Sequence, residues 1–184
     1  MKAKKVKELM IPRSDYATVS EDENLLSAIT VLKQTWNDSN LNHKHRAILA
    51  FDKDDHIVGK LGIREILKAL EPKYRQFEGS ENAGSIGLSR FGFNTEFLSS
   101  LVDKLDLWDE SMEDLVRKAS KLTVANIMYT PSKGEYVDKD APIAEAVHQF
   151  ILGCHQSLLV LDSDRVVGIL RLADIFDLVC ELVE

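Results

Sequence analysis

Residues 166–179 read V-V-G-I-L-R-L-A-D-I-F-D-L-V, and the fold turns on them. Residues 166–170 are a β-branched, apolar run with one glycine, the pattern of a buried strand. From Arg171 the period changes, and Leu172, Ile175, Phe176 and Val179 recur at helical spacing, with Asp174 and Asp177 between them. A strand that runs directly into a helix leaves the first helical N–H groups without partners, and the aligned peptide dipoles favour an anion there. Arg171 and Asp174 are three apart on that first turn, so their side chains share a face. A cation beside a carboxylate suits a phosphate and the hydroxyls of a sugar. The plainer alternative is an ion pair that solvates the start of a helix.

The stretch has an earlier copy. Residues 57–67 read I-V-G-K-L-G-I-R-E-I-L, so that Gly59 matches Gly168 and Glu65 matches Asp174 at one offset (168 − 59 and 174 − 65 are both 109). A second correspondence lies further upstream. Residues 6–13, V-K-E-L-M-I-P-R, match residues 124–131, V-A-N-I-M-Y-T-P, and the offset of 118 carries on through Val19 with Val137 and Ala28 with Ala146. A strand–helix unit that recurs with an acid in the same place is the mark of a duplicated module.

Each copy reads as strand, helix, strand, strand, helix. In the first, Ser20 and Glu23 form a capping-box pattern before an apolar stripe of Leu25, Leu26, Ile29 and Leu32. In the second, Asp140 is the expected cap, Pro142 occupies the first turn, and Ile143, Val147, Phe150 and Ile151 make the stripe. Both stripes read as core. Paired strands are expected at 46–51 and 57–61, and again at 157–161 and 166–170, each pair joined by a polar turn. The fold class is therefore α/β (α+β). Residues 1–70 form the first repeat, 71–121 a helical insertion and 122–184 the second repeat.

The insertion holds a glycine- and serine-rich loop at 78–92 and two helical segments near 95–107 and 111–122. Phe97, Leu101 and Leu105, then Leu115, Val116 and Ala119, line one side. Since two repeats alone should complete a core, an arm that docks another subunit or partner is preferred over a hairpin packed on its own domain. Residues 36–45 lengthen the first copy and contain His43 and His45; without a nearby Cys or carboxylate set they read as a solvated loop rather than a metal site.

Composition bounds the function. The 184 residues are 45% hydrophobic and 29% charged, ordinary for a globular domain, and no apolar run is long enough to span a bilayer. The N-terminal stretch lacks the apolar core of a secretory signal, so a cytoplasmic location is expected. A formal net charge of −7 argues against general nucleic-acid binding. Cys154 and Cys180, far apart, read as buried free thiols. Neither a nucleophile elbow nor a glycine-rich phosphate loop with its lysine occurs, so no enzyme activity is expected.

Taken together, V-K-E-L-M-I-P with V-A-N-I-M-Y-T-P, H-R-A-I-L-A-F-D with H-Q-S-L-L-V-L-D, and I-V-G-K-L-G-I-R-E-I-L with V-V-G-I-L-R-L-A-D-I-F resemble a pair of CBS (cystathionine-β-synthase-type) repeats, over nearly all the chain outside the insertion. The resemblance implies two repeats packed through their sheets, modules that pair as homodimers, and clefts between repeats that take adenosine-containing ligands such as AMP, ADP, ATP or S-adenosylmethionine. No cofactor is required. By the same resemblance Asp174 would hold the ribose of the second-repeat site. Arg171 stands where Ser or Thr is usual, and could grip a phosphate or fill the cleft. Tyr129, Thr130 and Leu158 would border the base. In the first repeat Gly62 replaces the hydroxyl, Glu65 replaces Asp and Arg64 lies nearby but past the usual slot, so the second repeat is the expected working site. Leu49 and Leu159 also stand where many members have Pro. The implied function is ligand sensing on behalf of a separate regulated protein, with no nucleic-acid or membrane partner; the alternative is a ligand-free dimerisation scaffold.

Overall fold

A computed structural model describes residues 4–37, 47–77, 99–100 and 103–183. The loop containing His43 and His45, the stretch at 78–92, and Phe97 and Leu101 lie outside the described residues. Both repeats show the expected order. In the first, β2 (Thr18–Ser20), α1 (Leu25–Asn37), β3 (Ala47–Phe51), β4 (Ile57–Gly62) and α2 (Ile63–Leu70) follow one another. The insertion contributes α3 (Met112–Ala119), and α4 (Val124–Ile127) precedes the second repeat: β5 (Tyr136–Asp138), α5 (Ile143–Gly153), β6 (Ser157–Asp162), β7 (Arg165–Arg171) and α6 (Leu172–Val183). A short strand β1 (Ile11–Pro12) lies before them all. Among the described residues no helix is long and apolar enough to cross a membrane.

Each sheet is built the same way. β2 runs parallel to β3 and β3 antiparallel to β4, as β5 runs parallel to β6 and β6 antiparallel to β7. The segment leading into each repeat, however, belongs to the other. β1 pairs antiparallel with β7, extending the second sheet, and Tyr129 bridges to Lys60 on β4 of the first. Val6 is buried in the second-repeat core, and Val124, Ile127 and Met128 pack in that of the first.

One set of backbone hydrogen bonds, repeated at the offset of 118, holds both exchanges. Val6 N donates to Ala141 O and Lys7 N to Lys139 O (3.0 and 2.8 Å); Val124 N donates to Glu23 O and Ala125 N to Glu21 O (2.7 and 2.9 Å). Where each segment crosses the strand it meets a glycine. A Cβ on Gly59 would overlap the Met128 sulfur and lie 2.9 Å from its Cγ, and one on Gly168 would lie 2.6 Å from the Ile11 carbonyl oxygen and 2.9 Å from the Met10 sulfur.

Several local expectations are corrected. The cap of α1 is Asn24, whose Oδ1 accepts from Ser27 N at 3.0 Å, so the helix starts later than the Ser20–Glu23 pattern suggests. Asp140 does not cap α5; it pairs with Lys5 (3.1 Å) and Lys7 (2.7 Å) of the exchanged N-terminal segment, whose hydrogen bonds, that from Lys7 first, lower its pKa to about 2. Cys154 and Cys180 are free but exposed, because both sit toward the outer ends of helices rather than in the core. The α3 helix is not a free arm: Leu115 and Ala119 are buried in the first-repeat core. The chain returning to α3 is also pinned, because buried Glu71 accepts from Trp108 N at 2.8 Å and Trp108 Nε1 donates to Tyr74 Oη at 2.9 Å. The stripes of α1, α5 and α6 are only half core, since Leu26, Ile151, Phe176 and Val179 face outward.

The two glycines give different expected penalties. Gly168→Ala presses on a backbone carbonyl that cannot rotate away, and should cost about 1–3 kcal/mol of overpacking. Gly59→Ala meets a flexible thioether chain and should cost less. Urea denaturation midpoints check the order; no loss for Gly168→Ala would mean that the exchanged segment is not seated there.

Candidate functional site

The strand-to-helix junctions of the two repeats, 109 residues apart, use their acids alike. Glu65 Oε2 accepts from the backbone N of Gly62 at 2.9 Å, and Asp174 Oδ2 from that of Arg171 at 2.8 Å. Each acid thereby satisfies one orphan N–H at its helix start. Beyond that they differ.

At α6 the Arg171 guanidinium folds back onto the same carboxylate, with Nε 3.0 and 3.1 Å from the two oxygens of Asp174 and a further short bond from the terminal nitrogen. The side chains are 14% and 8% exposed, so the cation and anion satisfy each other inside the protein. Tyr16 lies within their field; burial pushes its hydroxyl up to about 12, with the Arg171 charge opposing and the Asp174 charge adding.

At α2, Gly62 has no side chain to close over Glu65, and the exchanged segment after α4 lies opposite. A cleft of about 410 Å³ opens there, lined by Glu65, Lys68, Asn126, Met128, Tyr129 and Thr130 among others. Tyr129 and Thr130 thus share a cleft with the acid of the first repeat, because the exchange carries the second front motif across. Arg64 is exposed on the first turn of α2. Leu158 is fully buried in the second-repeat core, paired in register with Leu170. Leu49 and Leu159 meet, with Tyr16 and Ile169, in a cluster that joins the two sheets.

Behind Tyr129 lies a polar network that sequence reading missed. Lys60, on β4 of the first repeat, places Nζ 2.6 Å from Glu135 Oε2 of the second, and their side chains are only 11% and 4% exposed. The Tyr129 hydroxyl donates a short bond to the other oxygen of Glu135, which also accepts from Ser132 N at 3.0 Å. The ammonium stands 5.5 Å from the centre of the Tyr129 ring, within cation–π range. Burial raises the Glu135 pKa, but the bonds from Lys60, Tyr129 and Ser132 outweigh it and hold the carboxyl below its ordinary value. Burial first, then the bond to Glu135 and its charge, pushes Tyr129 up to about 12. A signal was present in the sequence: Lys60 is a charge inside an otherwise apolar strand, where the second copy has Ile169.

Elsewhere Asp52, Asp54 and His56 gather their ligand atoms within 4.8 Å on the β3–β4 turn. Asp52 Oδ1 there accepts from Asp54 N and His56 N, both at 2.9 Å, which is ordinary turn chemistry.

Comparison with known proteins places this geometry. The family model described as CBS domain matches residues 6–72 and 124–181. No curated protein sequence matches the chain. Among solved structures, the chain is similar to CBSX2 in complex with AMP, at 14% identity and TM-score 0.60, covering 98% of each chain. It is also similar to a CBS domain-containing protein from Bacillus anthracis, at 17% identity and TM-score 0.63, covering 97% of this chain and 94% of that one. A third is the CBS domain of a bacterial CNNM/CorC family Mg2+ transporter in complex with ATP, at 14% identity and TM-score 0.57, covering 94% and 84%. At these identities the likeness shows the fold.

The buried pair yields a pH dependence. Glu135 titrates lower in the folded chain than in the unfolded one, so its contribution is present above the ordinary carboxyl value of 4.5 and is lost as pH falls through the folded value. Glu135→Gln should therefore flatten the acid limb of a stability–pH profile. Lys60→Met, which leaves the carboxylate buried without its cation, should cost about 3–5 kcal/mol at neutral pH by chemical denaturation.

Proposed function

The chain belongs to the CBS-domain family, and on that premise we propose that it is a cytoplasmic regulatory module, working as a homodimer. In this reading it binds an adenine nucleotide or other adenosyl ligand in the cleft between its repeats and signals to a separate protein. The observation that carries the proposal is the open cleft at the first repeat, where a carboxylate, a cation and an aromatic ring converge. Glu65 would accept from ribose hydroxyls, the Tyr129 ring would stack on adenine, and Lys68 would meet phosphate. AMP and ATP stand in the descriptions of two structures of the same fold. At the second repeat Arg171 already occupies Asp174, so the proposed working site moves to Glu65 from the position expected by sequence.

The route from ligand to signal would run through Tyr129, which borders the cleft and bonds Glu135, the partner of Lys60 across the repeats. A ligand that holds Tyr129 in one position favours one disposition of the repeats, by the difference of its affinities for the two. Coupling of about 1–3 kcal/mol is typical of such devices. The closed Arg171–Asp174 pair and the missing hydroxyl at Gly62 also favour a second reading, a ligand-free scaffold.

Thermal unfolding against AMP, ADP, ATP, S-adenosylmethionine and GTP separates the two. An adenosyl ligand at about a hundred times its dissociation constant should stabilise the native state by about 2.7 kcal/mol. The shift should vanish in Glu65→Ala and shrink in Tyr129→Ala. A shift lost in Asp174→Ala but kept in Glu65→Ala would return the site to the second repeat, and no shift with any ligand would establish the scaffold.

A further inference from the structure

The insertion does more than pack on the first repeat: with the end of α2 it encloses a second cleft, of about 240 Å³. Leu70, Leu115, Ala119 and Leu122 form its apolar side, and Glu71, Lys73, Asp109, Glu110 and Lys118 its polar side. It lies at the C-terminal end of α2, whereas Glu65 of the larger cleft stands on the first turn of that helix.

The charges in this second cleft do not balance. Glu71 is 3% exposed, and its carboxylate accepts from backbone alone, Lys73 N at 3.3 Å and Trp108 N at 2.8 Å. A carboxylate taken out of water ordinarily has a cation beside it. Among the described residues no cation is paired with Glu71, because the two lysines of the cleft are engaged elsewhere. Lys73 Nζ donates to Asp106 O, and Lys118 Nζ lies 2.5 Å from both oxygens of Glu110. Asp109, exposed at the cleft, has no partner among the described residues. The last carbonyls of α2 add the negative pole of a helix. Trp108 and Asp106, whose backbone groups meet Glu71 and Lys73, both hold left-handed backbone, at φ 60° and 47°. Such strain in residues other than glycine collects at ligand clamps.

A negative pocket with an apolar wall calls for a cation on an apolar stem. A metal ion fits less well. The ligand atoms of Asp52, Asp54 and His56 gather within 4.8 Å of one another, whereas those of Glu71, Asp109 and Glu110 form no such group. An ammonium needs no such convergence, since its donors can reach acceptors placed apart. We propose that the cleft between α2 and α3 binds a small primary amine. Its ammonium stands against the Glu71 carboxylate with Asp109 at the mouth, and its alkyl stem lies along Leu115 and Leu122. The volume falls below the roughly 300–1,000 Å³ of drug-sized sites, which limits the stem to a short one. This site is separate from the cleft at Glu65 and stands whether or not that cleft takes a nucleotide.

Titration of n-butylammonium chloride into the isotope-labelled full chain at neutral pH, followed by amide NMR with matched sodium chloride as the reference, tests it. The backbone amides of Lys73 and Trp108, which bond Glu71, should shift in a saturable way. Uncharged n-butanol at the same concentrations should not saturate them. Glu71→Gln keeps the shape of the side chain without its charge and should weaken binding about tenfold. Asp109→Asn, a change at an exposed position, should weaken it about threefold. If Glu71→Gln disturbs the fold, seen as shifts across the whole spectrum, Asp109→Asn decides alone. No saturable shift, an equal response to n-butanol, a folded Glu71→Gln that binds as tightly as wild type, or unchanged affinity in Asp109→Asn would each overturn the site.

Discussion

The fold depends on two close crossings, Met128 over Gly59 and Met10 with Ile11 over Gly168. At each, a chain segment lies so near a strand that even a methyl group would collide. The segments that make these contacts precede the repeats they do not pack in, so neither repeat can complete its core alone. Val6 and Val124, both fully buried, are each a missing piece of the other half. Two short modules, each too small to bury a large core, thereby become one cooperative unit.

Because the exchange is nearly symmetric, the differences between the two ends stand out. On one side of the inter-repeat seam Ile11 and Ile169 sit with Tyr16 in an apolar cluster. The equivalent positions on the other side are Tyr129, which hydrogen-bonds Glu135, and Lys60, which forms a buried ion pair with the same carboxylate. Burying such a pair requires desolvating both ions, which their mutual attraction and hydrogen bonds must offset. Packing apolar groups there would demand less. The pair fixes how the repeats register on that side and sets a polar, titratable contact directly behind the wall of the cleft. The opposite junction has spent its charges on itself, through Arg171 and Asp174.

The helices complete the division of labour. Their inner sides close the two cores, while their outer sides leave Leu26, Ile63, Leu67, Ile151, Phe176 and Val179 exposed, and α3 lies against the first repeat without covering Ile63 or Leu67.

Much was determined by sequence alone, because duplication is a one-dimensional property. The offsets of 109 and 118, the period change at Arg171, and the acids at Glu65 and Asp174 specify two copies of one strand–helix unit, and hence the family and the order of elements. Local rules reached as far as the junctions themselves. What they could not reach was which copy each front motif packs in, since chain order assigns Tyr129 and Thr130 to the repeat they introduce. Only tertiary pairing seats them beside Glu65 and buries Leu158 away from the cleft. The same holds for Lys60 and Glu135, 75 residues apart and linked by no motif. An apolar stripe likewise shows that a helix has a buried side, not whether its remaining apolar residues face a core or a partner. These outcomes are decided by contacts between distant segments, and a sequence read element by element contains no term for them.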